Sequence, residues 1–348
     1  MTENKKKNWF SKINSNTKQL LCICVIIFVV FSFLKPSRYP TLRNLESMCF
    51  QFPEPGLFTL GIAITMLTAG ADLSIVAVGN LVATLCGMLF LNVMPAEATA
   101  GTQLGFVVLC FVIALAVGLI CGCLNGLLVA KLGIFPILAT LGTQNLYTGI
   151  SSALTKGQGV FGTFPEALIF LGSGKLFGFL PMPLLIFLIA LIVITIIIHY
   201  SPQGMKTQWF GSNRRASFYC GIDNVRTVFT TYVMSSLIGA LTGILILART
   251  NSAKYDYGTS YVMQAMLASV LAGVSPLGGK GYIPNILLSA LSIQMLDSGF
   301  NFLRVSSFVR SSTYGILLII SIAIEYAREA LKRRRDVKRA EQLAQQSK

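Results

Sequence analysis

Long apolar runs recur along the whole chain, and they decide the solvent in which it folds. LLIFLIALIVITIII and VFTTYVMSSLIGALTGILIL flank one polar stretch, Ser201 to Arg226, and similar runs fill most of the remainder. Only 12% of the 348 residues are charged, whereas soluble chains carry about 25%. Runs of this length and number indicate membrane-crossing helices. Barrel strands would instead show short alternating segments. The expected fold is an all-α polytopic membrane protein.

The charges then orient it. The tails and the 201–226 stretch hold most of the basic residues, as the positive-inside rule requires of cytoplasmic segments. The net charge of +15 therefore speaks for topology and not for nucleic acid. The basic start could be a signal peptide. However, Leu20–Leu34 runs into Lys-Pro-Ser-Arg and not into small residues, so it reads as a first span with the N-terminus inside. Further spans are expected at 56–69, 73–94, 104–130, 134–154, 183–199, 227–247, 260–274, 283–298 and 305–324. About ten spans place both termini in the cytoplasm. Ten divides into two sets of five, and an odd set would make the halves inverted, although no sequence repeat is visible. Residues 1–19 and 328–348 are basic cytoplasmic tails, and 20–327 is the membrane domain. Several spans run to about 14–16 residues where about 20 are needed. Such helices are expected inside protein, shielded from lipid, and often border a solute path.

Within the spans, polar residues are few. Asp72 lies between apolar runs, where an acid is costly. It either caps the following helix as its N-cap or touches a solute. Asn125 sits in span 4. Span 5 carries Thr140, Thr143, Gln144 and Tyr147, spaced three or four apart and so on one helical face. That stripe either bonds neighbouring helices or walls a hydrated path for a hydroxyl-rich solute.

The polar stretch is too long for a simple connection of about 2–8 residues. It carries Lys206, Arg214, Arg215 and Arg226 against Asp223. Residues 213–222 suit a short surface helix ending at Gly221. It is either a solvated loop or a handle that a cytoplasmic partner grips.

Several chemistries lack their residues. Eight cysteines sit mostly in apolar runs, where they act as small hydrophobes, and the single histidine, His199, supports neither zinc nor triad chemistry. Gly278-Gly279-Lys280-Gly281 fails as a phosphate loop because Gly follows the lysine. Ionisable residues inside spans are nearly absent, against the habit of ion-driven carriers. Uphill transport would draw its energy from outside the chain.

Four motifs, in order from about Leu57 to Ala327, resemble permease subunits of bacterial ABC importers of the ribose/xylose/galactoside class. Gly122 to Thr143 (GCLNGLLVAKLGIFPILATLGT) is similar to a signature of that family. Ala69-Gly70-Ala71-Asp72-Leu73-Ser74 resembles its Gly-Gly-Ile-Asp-Leu-Ser. Ala272 to Gly281 resembles Gly-Gly-Thr-Ser-x-x-Gly-Gly-x-Gly, and Gly211-Ser212-Asn213 with Ala216, Gly221 and Ile222 resembles Gly-x-Asn-x-x-Ala-Ala…Gly-Ile. Ala69, Ala71, Ser217 and Val274 depart from the pattern.

The resemblance implies a permease with no enzymatic activity and no cofactor of its own, in the bacterial cytoplasmic (inner) membrane. It would pair with a second permease chain, homo- or heterodimeric. An ABC ATPase subunit would hold ATP-Mg, and an extracytoplasmic binding protein would deliver the solute. Phe210, Gly211, Asn213, Arg214, Arg215, Ala216, Gly221 and Ile222 would form the coupling segment. Asn125, Thr140, Thr143, Gln144 and Tyr147 are candidates for the path, and Asp72, Ser74, Gly278, Gly279 and Gly281 for structural motifs. A monosaccharide is the expected solute. A nucleoside, a furanosyl signal molecule or, in a different class, an ion-coupled carrier are the alternatives, and a scaffold without a solute path is a further rival.

Overall fold

The computed structural model describes residues 15–95 and 99–346; most of the expected N-terminal tail lies outside the described residues. The chain is helical almost throughout. Its elements are α1 (Ser15–Leu34), α2 (Leu42–Gln51), α3 (Pro53–Met66), α4 (Ile75–Asn92), α5 (Ala100–Gly126), α6 (Pro136–Thr155), α7 (Glu166–Ser173), α8 (Met182–Tyr200), α9 (Pro202–Ser212), α10 (Arg214–Tyr219), α11 (Asn224–Thr250), α12 (Tyr261–Leu271), α13 (Ile286–Phe302) and α14 (Ser307–Gln346). Two small antiparallel pairs, Val160–Phe161 with Ser252–Ala253 and Lys175–Leu176 with Leu180–Pro181, pin the connections around α7.

Among the described residues, six helical stretches are long and apolar enough to cross a membrane: 16–34, 75–92, 100–131, 182–200, 224–250 and 307–327. The chain is an all-α polytopic membrane protein. Exposed apolar side chains such as Val25 and Phe33 on α1, Val108 and Ile120 on α5, Ile192 on α8 and Ile319 on α14 give these helices lipid-facing sides. The shorter helices behave differently. All 14 residues of α3 are buried, and α12 is 11 residues long. The turns that follow these two helices, 67–74 and 272–285, are largely non-helical and partly buried. Irregular backbone of this kind is tolerated in a membrane protein where protein, not lipid, surrounds it.

The central helix is α11, which packs on α5, α4 and α3. Small residues make this close approach: a Cβ on Gly122 of α5 would lie 2.7 Å from the Val233 Cα of α11, and one on Gly118 would lie 2.9 Å from the Ala240 Cβ. In lipid, where hydrophobicity gives no preference for helix contact, such backbone approach supplies the packing.

Several boundaries differ from expectation. Residues 35–55, expected as a loop, hold α2 and the start of α3. The Thr41 hydroxyl starts α2 by accepting from the Asn44 N–H at 3.3 Å, and Pro53 at the first position begins α3, where its missing N–H costs nothing. The span expected at 260–274 is helical only over 261–271, and that expected at 283–298 begins with a 3₁₀ turn at Ile283–Asn285 and runs as helix to Phe302. The polar stretch forms two helices where one was expected.

Candidate functional site

Three structural units meet at the end of the bundle where the 67–74 turn, the 201–226 segment and the 272–285 turn lie.

The first is a buried polar network. The α3–α4 turn carries Asp72 into the interior with no solvent exposure. Asp72 Oδ1 accepts from the Ser74 backbone N–H at 3.0 Å and the Ser74 hydroxyl at 2.7 Å. Its Oδ2 accepts from the Ser235 hydroxyl of α11 at 2.8 Å, and the Asp72 N–H donates to Thr65 Oγ1 at 3.1 Å. The sequence left Asp72 either as the N-cap of the following helix or as a solute contact. Ser74 holds that position instead, without a side-chain cap bond of its own, and Asp72 reaches its N–H from two residues upstream. This is the local side-chain-to-backbone bonding that Asp favours at turns.

The network continues across helices. Asn125 Nδ2 donates to Ser74 Oγ at 2.8 Å, and the Thr143 hydroxyl donates to Asn125 Oδ1 at 2.7 Å. The Thr140 hydroxyl donates to the Ala71 carbonyl at 3.1 Å, and the Tyr147 hydroxyl to the Cys121 carbonyl at 3.2 Å. Asn125, Thr140, Thr143 and Tyr147 are thus brought together, all buried, on the side of α6 that faces α5 and the turn. Gln144 stands half-buried beside them. Ser235 and Thr65 belong to the network, although their sequence context, two hydroxyls among many in apolar runs, did not single them out.

The second unit is a seam of backbone against backbone. The Gly279 N–H donates to the Leu67 carbonyl at 2.9 Å. Gly211 of α9 lies against both, and a Cβ there would run into the Leu67 oxygen and the Gly279 nitrogen. Gly278 and Gly279 have φ of +88° and +75°, a conformation that suits glycine. Gly281 packs on Leu67 and Val274. Ala69, where the resemblance expects glycine, holds φ of +58°.

The third unit is the pair α9 and α10. Ser201 caps α9, its hydroxyl accepting from the Gly204 N–H at 3.4 Å, with Pro202 at the first position. Asn213 Oδ1 caps α10, accepting from the N–H groups of Arg215 and Ala216 at 3.1 and 3.0 Å. Helix α10 ends as expected at Gly221, whose φ is +75°. Gly221 N–H donates to the Phe218 carbonyl and Ile222 N–H to that of Ser217, the paired bonds of a Schellman stop. The expected coupling residues divide by direction. Phe210 is buried against Val129, Val228 and Tyr232, Ile222 is buried, and Gly211 faces the seam. Asn213, Arg214, Arg215, Ala216 and Gly221 are exposed. Trp209, Phe218 and Tyr219, which the sequence reading passed over, are also exposed, and the last two stack edge-on at 6.0 Å. An aromatic pair in a polar segment was the available signal.

A cavity of about 310 Å³ lies between these units, lined among others by Thr68, Pro136, Phe210, Asn213, Arg214 and Tyr232. Among the described residues, no group of three or more His, Cys, Asp or Glu side chains is arranged to hold a metal.

A bundle of long apolar helices with a buried polar network and a partly exposed helix pair at one end defines a multi-pass membrane protein. Comparison with known proteins specifies it. The chain belongs to the family described as "Branched-chain amino acid transport system / permease component", which matches residues 44–322. It is similar to the ribose import permease protein of Bacillus subtilis, 31% identical over 307 residues, covering 88% of this chain and 91% of that one. The ribose import permease protein of Escherichia coli K12 is 30% identical over 311 residues, covering 88% and 92%. The autoinducer 2 import system permease protein of Salmonella typhimurium is 30% identical over 312 residues, covering 87% and 90%. No solved structure matches. The protein is thus a permease subunit of a bacterial ABC importer and a multi-pass protein of the cytoplasmic membrane.

Proposed function

We propose that this chain forms the translocation path for a monosaccharide, ribose-like in size and hydroxyl content, in an ATP-driven importer. In this reading ten helices cross the membrane: α1, α3, α4, α5, α6, α8, α11, α12, α13 and α14. Both termini are cytoplasmic, with basic tails at 1–19 and 328–348 outside the 20–327 membrane domain, and an inverted five-plus-five arrangement would relate the halves. Helices α9 and α10 then lie in the cytoplasm, where a cassette ATPase carrying ATP-Mg docks on them. A second permease chain completes the path, and an extracytoplasmic protein delivers the solute. The chain itself holds no cofactor and performs transport without hydrolysis.

The observation that carries this reading is the outward-facing pair α9–α10, exposed and basic on one side and backed by the glycine seam on the other. The relatives' names favour a sugar-like solute. A furanosyl signal molecule is the second reading, favoured by the autoinducer 2 relative. The test is ATP hydrolysis by the cassette protein in proteoliposomes with this chain and the binding protein, across a panel of pentoses, hexoses, nucleosides and autoinducer 2. Stimulation by ribose or another monosaccharide is expected. Stimulation by autoinducer 2 alone selects the second reading, and uptake driven by an ion gradient without any ATPase would overturn both.

A further inference from the structure

We infer that Gly211 is a positioning residue that carries movement of α9 and α10 into the α3–α4 turn. The inference rests on the coupling reading above and deepens it. It also gives the Gly278-Gly279-Lys280-Gly281 motif a role that the failed phosphate-loop reading left open.

The argument begins with what a contact can transmit. A long side chain between two segments absorbs displacement by changing rotamer, whereas close-packed matter passes it on. At its centre the seam is backbone on backbone, with the small side chains of Ser212 and Ala69 at its edge. Gly211 abuts the Leu67 carbonyl and the Gly279 nitrogen directly, those two are bonded to each other, and the backbone of Gly278 closes on Ala69. Any shift of α9 towards the bundle must push Leu67 and Gly279 together.

Beyond the seam, the turn has somewhere to go. Thr68 and Ala69 border the 310 Å³ cavity. Ala69, Gly70 and Ala71 border a second cavity of about 190 Å³ on another side, with Phe135, Pro136 and Met266. A turn with space on two sides and a left-handed alanine in its middle is the loose element in an otherwise packed region. Its far end is Asp72, whose bonds reach Ser235 on α11 and, through Ser74 and Asn125, Thr143 on α6. The Tyr232 hydroxyl is buried beside Gly70 with no hydrogen-bond partner among the described residues, so a displaced turn can offer it a carbonyl. The signal thus enters the bundle through the α3–α4 turn, and the polar network distributes it.

The experiment uses the assembled importer with the native cysteines replaced and Thr68→Cys as reporter, since Thr68 lines the first cavity. Labelling by N-ethylmaleimide is timed with and without ATP plus vanadate. A second reporter, Tyr219→Cys, reads docking of the cassette subunit as protection from the same reagent. In the otherwise unaltered complex, nucleotide is expected to change labelling at position 68 by at least about fivefold, the lower end of ordinary coupling between sites. Adding Gly211→Ala should reduce that change below about twofold while position 219 stays protected. A retained response with Gly211→Ala overturns the inference. Should that variant fail to assemble, insertion of Gly-Gly between Ser212 and Asn213 keeps the seam and loosens only α10. Loss of the response with protection intact then supports the inference, and a retained response overturns it. No nucleotide response at position 68 in the unaltered complex overturns the inference alone. No protection at position 219 overturns the coupling reading and this inference with it.

Discussion

Asp72 and Ser235 are bonded side chain to side chain at 2.8 Å although 163 residues separate them. The bond ties the α3–α4 turn to the central helix α11, and it makes the acid a structural acceptor for three donors. Removing it leaves the Ser74 N–H buried without a partner, at a cost of about 1–3 kcal/mol per group. Asp72→Ala is therefore expected to lower stability by about 2–3 kcal/mol, read as thermal unfolding of the purified protein. Asp72→Asn, which keeps an oxygen for Ser74, should lose less than half as much. A well-folded alanine variant with altered solute choice would instead place Asp72 in contact with the solute.

The glycines of α5 separate into two kinds. Gly122 has the backbone of α11 where a Cβ would stand, and Gly105 has nothing within 4 Å. Gly122→Val should abolish the monodisperse peak in size-exclusion chromatography, because overpacking by more than a methyl forces the helices apart. Gly105→Val should elute and unfold as the unaltered chain does.

At the opposite end of the bundle, Glu54 at the start of α3 pairs with Arg249 at the end of α11. Arg249 Nη2 donates to Glu54 Oε2 at 2.8 Å and to the Tyr257 hydroxyl at 3.0 Å, and Arg249 Nε bonds Glu54 Oε1. The Glu54 side chain is 1% exposed. Breaking such a pair from one side strands a buried charge and costs about 3–5 kcal/mol, whereas replacing both partners by apolar groups is often neutral. Arg249→Met is thus expected to unfold far more easily than Glu54→Leu/Arg249→Met. The reverse order in a double-mutant cycle would show the pair to be solvated.

Ala69 occupies left-handed backbone, which costs an L-residue roughly 1–2 kcal/mol. Ala69→Gly relieves that strain but gains about 0.4–1 kcal/mol of unfolded-state entropy. A net stabilisation between zero and about 1.6 kcal/mol follows, visible as a higher melting temperature. No gain would mean that the Cβ of Ala69 earns its place through contacts with Gly278.

On the coupling surface, Arg214→Glu reverses an exposed charge and should leave insertion intact while lowering co-purification with the cassette ATPase by about tenfold, the size of effect that charge reversal at an interface produces. Gly221→Pro is incompatible with a φ of +75° and should act similarly by undoing the stop of α10. Normal uptake by both variants would remove the coupling assignment.

The sequence made the apolar runs, their helical nature and the end of α10 at Gly221 legible, because each depends on neighbours within one or two turns. Helix α9 was not, since it starts with a proline at its first position. Only with Ser201 as cap does Pro202 become a helix start. The polar spacing of Thr140, Thr143 and Tyr147 was visible, but the direction of that face was not. It depends on Asn125, on another helix. Phe210 is buried within the chain while Phe218 and Tyr219 lie outside, a division that one segment alone cannot reveal. The seam was least legible of all: Leu67, Gly211 and Gly279 share no local pattern and meet only when three distant segments fold together.

The complete burial of α3 bears on how the protein is made. At 1.5 Å per residue its 14 residues span about 21 Å, short of the ~30 Å thickness of a bilayer's hydrocarbon. As the ribosome releases this segment, nothing in it can settle in lipid alone. The helices that will enclose it, among them α8, α11 and α12, have yet to be translated. An early-made helix must therefore wait in a sheltered place, with the insertion machinery or paired to α4, until chain some two hundred residues further on arrives to close around it.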